Sequence, residues 1–425
     1  MSDFAPSRGT HDLLPPDGGV MRALYDRAAE IARVHGFRYV ETPGFEATDV
    51  FARTSGATSD VVSKEMYTFT DRGDRSLTLR PEGTAPVVRA YLHDRQRLGV
   101  PFKAYYLTRM YRYSRPQAGR YREHRQFGVE VLGTDAPAAD VDVMVVGDAV
   151  LRSLGLRRYH VELNSLGDEM CRPAYREALL AYLRAHRDQL RDEHKDRFED
   201  NPLRVLDCKD EACRAVAAGA PTMVDHLCDE CRTAFDAVQK GLADAGIAAM
   251  LAPTLVRGLD YYTRTAFEFV SDALQEGGNQ QQSTVFGGGR YDGLAEAIGG
   301  PRVPGVGFGM GLERVLLAVA DEQLAPPSEP PLAVFVVGLG DEARATGLRL
   351  VADLRRAGVS ADAAYEDRPM KAQLKMADKA GARFAAIVGA DELAAGTVSL
   401  RRLADGVQQS VPLAEAAGRV AGDGA

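Results

Sequence analysis

The stretch from Tyr105 to Gly133 reads YYLTRMYRYSRPQAGRYREHRQFGVEVLG. Residues two apart in a β-strand share a face. Phe127, Val129 and Val131 therefore form one apolar row, and Gln126, Gly128 and Glu130 form the opposite row. The preceding run sets Leu107 and Tyr111 on one face and Thr108, Met110 and Arg112 on the other. Between the runs, Ser114 to Arg122 contains the turn residues Pro116 and Gly119. The pattern predicts two antiparallel strands joined by a long basic loop. One face is apolar. The other offers Arg112, Gln126 and Glu130 beside a glycine that leaves room above the sheet.

Arg109, Arg112, Arg115, Arg120, Arg122 and Arg125 surround this loop. Six arginines less the one acid, Glu123, give a local charge of +5 in a chain whose formal net charge is −8. Like charges so close repel unless an anion joins them, and phosphates are the natural partners. The overall acidity argues against a protein that coats DNA in bulk. It leaves room for one local basic site.

The 425 residues are enough for two or three domains. No apolar run reaches the roughly 18 residues a membrane span needs, and the start, MSDFAPSRGTHDLLPP, lacks a secretory pattern. Five cysteines in a chain this long do not make a disulfide framework. A cytoplasmic protein is expected.

Outward from the opening stretch, Met21 to His35 has Leu24, Ala28, Ile31 and Val34 at helical spacing, and Gly36 suits its end. Phe37 to Thr42 reads as a strand stopped by Pro43; this pair is either plain scaffold or also a dimer seam. Ser76 to Arg80 reads as a strand. Thr84 suits the N-cap of a helix over about Ala85–Leu92, with Pro86 in the first turn. Capping does not account for Glu82, whose carboxylate would suit an ammonium ligand.

Asp168 to about Ala249 is charged and helix-like, and reads as an inserted helical module. It holds Cys208-x4-Cys213 and Cys228-x2-Cys231. The second pair has zinc-ligand spacing but the first is wide, so small buried thiols are preferred and no metal is expected. Strand signals return from Leu255 to Phe269, where Arg257 lies beside Gly258 and precedes Tyr261 and Tyr262. Gly287-Gly288-Gly289-Arg290-Tyr291-Asp292 follows a polar loop. Gly305 to Leu317 reads as a strand, a glycine break and an apolar helix. Its spacing does not match the dinucleotide fingerprint, and no GxxxxGK[ST] loop occurs. EQLAPPSEPP, Glu322 to Pro331, is a proline-rich linker. Beyond it, β-α-β-α-β order predicts a small α/β domain with a largely parallel sheet. Lys371, Lys375 and Lys379 share one helix face there, either solvated or a weak RNA-facing patch.

Together these stretches resemble the histidyl-tRNA synthetases of bacterial type, which are class II aminoacyl-tRNA synthetases. Gly36–Phe51 resembles class II motif 1. Thr78–Tyr91 with Tyr106–Gly133 resembles motif 2, and Gly305–Leu317 resembles motif 3. LVRGLDYY from Leu255 and GGRYD from Gly288 resemble the two histidine-specific signatures.

The resemblance implies an α/β multi-domain protein. A class II catalytic domain with an antiparallel sheet spans 1–325, interrupted by a helical insertion at about 168–250. A linker at 326–331 leads to an α/β anticodon-binding domain at 332–425. It implies ligation of L-histidine to tRNA(His) through a histidyl-adenylate, by a homodimer, with ATP and Mg²⁺ and no prosthetic group. Arg112 and Arg257 match the arginines at the α-phosphate, and Arg314 the one at the γ-phosphate; Arg120 and His124 join the ATP site. Glu82, Gly83, Thr84 and Gln126 match the residues around the histidine amino group. Glu130 and Tyr262, with Tyr261 beside them, match those that read the imidazole. Arg115 and Gln117 match the region facing the tRNA acceptor end. The chain departs from the family pattern on the adenine side, with Ser114 in place of Glu and His124 in place of Phe. A synthetase-like regulatory subunit of ATP phosphoribosyltransferase is the competing reading.

Overall fold

The computed structural model describes residues 4–54, 64–208, 210–256, 259, 261–276 and 283–422. They divide into two compact units, Met1–Ser328 and Glu329–Ala425.

The strands of the first unit are β1 (Arg38–Tyr39), β2 (Phe45–Ala47), β3 (Tyr67–Thr70), β4 (Ser76–Leu79), β5 (Phe102–Tyr111) and β6 (Glu123–Leu132), followed by β7 (Tyr159–Ser165), β8 (Ala249–Leu251), β9 (Thr263–Ser271), β10 (Thr284–Arg290) and β11 (Gly305–Gly311). Eight of them form one sheet in the order β1-β5-β6-β11-β10-β9-β7-β8. Only the edge pairs β1–β5 and β7–β8 are parallel. The hairpin of the opening stretch, β5 with β6, lies near one side of this sheet, with the basic loop at its tip. Strands β2, β4 and β3 make a small separate sheet.

The alternation in β6 sorts as its sequence demands. Phe127, Val129 and Val131 pack in the main core with Leu24 and Ala28 of helix Asp17–Val34, and Val143 and Val150 of helix Pro137–Ser153. Phe235, Val238 and Leu242 of helix Asp229–Asp244 belong to the same core. On the other face, Tyr106, Met110 and Ala104 of β5 pack with Val87, Val88 and Tyr91 of helix Thr84–Leu98. Helix Leu312–Asp321 is tied to β6 by a buried ion pair, Arg125 Nη1 to Glu313 Oε1 at 3.2 Å. The same carboxylate accepts the Arg125 backbone N–H at 3.0 Å, which compensates the desolvated charges.

Three expectations change. The glycines of 305–311 do not break a strand; they are one face of it. Each of Glu130, Gly128 and Gln126 lies directly across from Gly307, Gly309 and Gly311, while Val306, Phe308 and Met310 pair with the apolar row. At Gly307 crowding requires glycine, because a Cβ would lie 2.4 Å from the Val129 carbonyl oxygen. A Cβ on Gly307 would lie 1.8 Å from Glu130 Oε2, and one on Gly309 would lie 1.5 Å from Gln126 Nε2. The strand expected across Leu255–Phe269 begins only at Thr263, so Tyr261 and Tyr262 precede it.

The third change concerns Thr84. It is the first residue of its helix, and Gly83 is the N-cap without a side-chain bond. The cap is Glu82, whose carboxylate accepts the backbone N–H groups of Thr84 at 2.7 Å and Ala85 at 2.9 Å. A carboxylate here also complements the helix dipole. The Thr84 hydroxyl is thereby free to turn into the site.

The second unit places β12 (Val334–Gly338) between β13 (Ala361–Ala363) and β14 (Phe384–Val388), all parallel. A hairpin not foreseen in the sequence, β15 (Thr397–Arg402) with β16 (Gln408–Pro412), extends the sheet antiparallel from β14.

Gly307→Ala is expected to lower unfolding free energy by about 1–3 kcal/mol, the usual cost of overpacking. Urea denaturation measures it; an unchanged midpoint would show that β6 and β11 are not closely fitted at this register.

Candidate active site

The polar face of β6 carries His124, Gln126 and Glu130 in one row, and each sits in a different environment.

Glu130 is fully buried. Its Oε1 accepts the Thr84 hydroxyl at 2.8 Å and the Tyr106 hydroxyl at 3.5 Å. Its Oε2 accepts the Tyr291 hydroxyl. Burial raises its pKa from the ordinary 4.5 to about 8. The hydroxyls of Tyr291 and Thr84 pull it back down, and the nearby Glu82 pushes it up. Glu82 is itself raised, first by burial, against the two backbone N–H groups it caps. Tyr261 stacks toward this cluster, with ring centroids 4.7 Å from Tyr262 and 5.9 Å from Tyr291.

Two tyrosines of this cluster, Tyr106 and Tyr291, were not among the residues expected at the site. Both were visible: Tyr106 shares the Thr108 and Met110 face, and Tyr291 follows Arg290 in the glycine-rich signature. Arg290 itself is structural. It is buried, bonds Asp140 and Asp292, and spends its remaining N–H groups on the carbonyls of Thr134 and Ala136. All five donors of a guanidinium are so used, and Tyr291 is fixed in place by its neighbour.

Gln126 holds an Oε1 that is buried without a hydrogen-bond partner. A buried bare carbonyl is costly unless a donor arrives. It suits an ammonium or N–H of a bound ligand.

Around His124 the chain gathers cations. Burial first, and then Arg112, Arg314 and Arg120, together lower the His124 pKa from 6.5 to about 3. The imidazole is therefore neutral at physiological pH. Arg314 is held below its usual range by burial first and by Arg120 next. Its guanidinium donates to the carbonyls of Thr284 at 2.8 Å and Gly119 at 3.4 Å. Arg112 donates Nε to the Pro81 carbonyl at 2.7 Å. Among the described residues, neither Arg112 nor Arg314 has a carboxylate within salt-bridge distance.

Of the other arginines of the opening stretch, Arg109, Arg120, Arg122 and Arg125 are engaged. Arg109 pairs with Glu123 and Arg120 with Glu65. Arg122 lies 3.8 Å over the Tyr113 ring. The local charge is thus smaller than the sequence suggests, and what remains of it points at Arg112 and Arg314. Arg115 and Gln117 are exposed at the loop tip, away from Glu130. Ser114 is buried, with its hydroxyl unpaired. Arg257 lies outside the described residues.

A cleft of about 1040 Å³ opens beside the site. Arg112, Arg120 and Tyr262 line one side, and Arg172, Arg176 and Arg204 of the helical segment line the other. The five cysteines are all free. The four expected to share one module fall into two groups: Cys228 and Cys231 lie with Cys171 and Asp168, while Cys208 and Cys213 lie with His194.

A family model described as histidyl-tRNA synthetase matches residues 9–315. The chain belongs to the histidyl-tRNA synthetase family. A model of the anticodon binding domain matches residues 333–422. A histidine--tRNA ligase of Moorella thermoacetica is 50% identical over 408 residues, covering 96% of this chain and 95% of the relative. The Saccharopolyspora erythraea histidine--tRNA ligase is 47% identical over 421 residues, covering 99% of each. The crystal structure of apo Staphylococcus aureus histidyl-tRNA synthetase superposes with a TM-score of 0.81 at 35% identity, covering 98% of this chain and 99% of that one.

The raised pKa of Glu130 has a consequence for stability. The folded state holds the proton more tightly than the unfolded chain. Its contribution is therefore fully present below 4.5 and is lost as pH rises through about 8. Glu130→Gln removes this term. Its melting temperature relative to the wild type is expected to be higher at pH 8 than near pH 5, by thermal unfolding; an equal difference at both would place the ionisation elsewhere.

Proposed function

We propose that this chain ligates L-histidine to tRNA(His) through a histidyl-adenylate, releasing pyrophosphate and then AMP. One observation carries the reading. His124 among its arginines and the sealed Glu130 lie on one face of one strand, six residues and thus about 20 Å apart. A single elongated ligand reaches both, with its nucleotide toward His124 and its imidazole toward Glu130.

In the first step a carboxylate oxygen of histidine attacks the α-phosphorus of ATP, and the bond to pyrophosphate breaks. Phosphoryl transfer asks for placed cations more than for covalent help. Arg112, anchored on Pro81 O, and Arg257 hold the α-phosphate and the histidine carboxylate. Arg314 takes the γ-phosphate, and Arg120 and His124 border the nucleotide. Mg²⁺ enters with ATP as part of the substrate and shares the neutralisation of its phosphates. At the other end, Glu82, Gly83, Thr84 and the bare Gln126 carbonyl receive the amino group. Glu130, with Tyr261 and Tyr262, reads the ring. An imidazole offers a donor and an acceptor, and few other side chains satisfy such a site.

In the second step a 3′-terminal ribose hydroxyl attacks the carbonyl carbon and AMP leaves. The acceptor end enters over Arg115 and Gln117, and the arginine-lined cleft has room for it. We assign 1–325 as the catalytic domain, with the helical insertion at about 168–250, and 332–425 as the anticodon-binding domain. On family grounds the enzyme is a cytoplasmic homodimer. No helix among the described residues is long and apolar enough to cross a membrane.

Histidine-dependent exchange of pyrophosphate into ATP tests the reading. Arg314→Ala is expected to slow exchange about 10–100-fold, the worth of a charge-assisted bond, and to leave histidine binding within about twofold. Equal losses in both would make Arg314 structural. Wild-type protein that binds histidine but shows no exchange would favour the regulatory subunit.

A further inference from the structure

The cysteine groups lie outside the reaction just described, and one of them has the make-up of a metal centre. We propose that Asp168, Cys171, Cys228 and Cys231 form a closed, tetrahedral zinc site that fastens the helical segment to the catalytic sheet.

The four side chains each offer one ligand atom, and these atoms lie within 4.8 Å of one another. Four ligands around Zn²⁺ at ~2.3 Å stand ~3.8 Å apart, so a small inward adjustment seats the ion. The sequence is two matched halves, Asp168-x2-Cys171 and Cys228-x2-Cys231. Reading the cysteines alone hid this, because the first half begins with a carboxylate and its cysteine was paired with nothing.

The halves are also built alike. Cys171 is the N-cap of helix Arg172–Ala185, and Cys228 is the N-cap of helix Asp229–Asp244. Two helix N-termini thus converge on the sulfurs, and such positions favour thiolates. The Cys228 backbone N–H donates to Cys171 Sγ at 3.1 Å. Asp168 Oδ1 accepts the backbone N–H of Met170 at 3.0 Å and lies 3.3 Å from Cys171 Sγ.

An outer partner completes the arrangement. Arg264 Nη2 lies 3.5 Å from Asp168 Oδ2 and donates to Glu230 Oε1 at 2.6 Å. Ligand-orienting contacts of this kind accompany metal sites generally. Arg264 opens β9, and its backbone pairs with the loop before Asp168 through Arg264 N to Gly167 O at 2.8 Å. Arg172, next to Cys171, donates to the carbonyls of Leu166 and Tyr262. The ion would therefore lock two helices to the turn that presents Tyr261 and Tyr262. Four protein ligands leave no open position, so its role is structural. The neighbouring His194, Cys208 and Cys213 group offers only three ligands and borders the cleft.

Cobalt substitution tests the proposal on the full chain. Reduced protein is stripped with chelator and titrated with Co²⁺, and sulfur-to-cobalt charge-transfer absorption is read. One tightly held equivalent is expected that Zn²⁺ displaces, Cys231→Ser removes, and the Cys208→Ser/Cys213→Ser double variant retains. Asp168→Cys, which turns three thiolates into four, is expected to strengthen the band by about one third. The proposal is overturned by wild-type protein without such a band, by a band that survives Cys231→Ser, by one lost in the double variant, or by an Asp168→Cys band no stronger than the wild type. The Asp168→Cys gain keeps the test decisive should Cys231→Ser fail to fold.

Discussion

A carboxylate sealed from water has to be surrounded by donors, and in this chain the donors come from three separate elements. Thr84 reaches Glu130 from the start of a helix, Tyr106 from β5, and Tyr291 from the end of β10. Their convergence explains features that look unrelated in the chain. Glu82 must cap the helix so that the Thr84 hydroxyl can face inward. Gly307 must lack a side chain so that Glu130 can lie flat against β11. Arg290 must be fully satisfied by Asp140, Asp292 and two carbonyls so that Tyr291 does not move. The contacts that seal Glu130 also tie the sheet to its neighbouring helix.

Around His124, charge is left uncompensated among the described residues. Arg109, Arg120, Arg122 and Arg125 are matched by Glu123, Glu65, the Tyr113 ring and Glu313. Among the described residues, Arg112 and Arg314 donate to backbone carbonyls and have no carboxylate partner. Two guanidiniums beside a neutral imidazole form an electropositive corner, which the proposed mechanism assigns to a nucleotide phosphate. The arginine cluster is therefore part scaffold and part site, and hydrogen bonding separates the two kinds where sequence does not.

Much of this was legible because period-2 alternation is a strong signal. The rows of β6 fell on the faces expected, and Arg112, Gln126, Glu130, Glu82 and Thr84 all gather in one region. The misreadings have physical causes. Gly305 to Gly311 looked like a break because glycine weakens isolated strands, yet opposite Glu130 nothing larger than Gly307 fits. Thr84 looked like a cap because its hydroxyl is the usual capping group, and Glu82 two residues earlier took that role. The β15–β16 hairpin, whose Val398 and Leu400 face the core, received no reading from the sequence. Cys171 was overlooked because its partner at the metal-like spacing is Asp168, and contacts 57 residues apart in sequence are invisible to local pattern.

The account stands or falls on Glu130 as the group that recognises the histidine ring. Calorimetric titration of histidine into wild-type and Glu130→Gln protein, without ATP, tests it most directly. At pH 9, above the Glu130 pKa of about 8, loss of a charge-assisted bond predicts affinity lower by at least about tenfold in the variant, with ATP affinity unchanged. Histidine binding of equal strength in both proteins would contradict it.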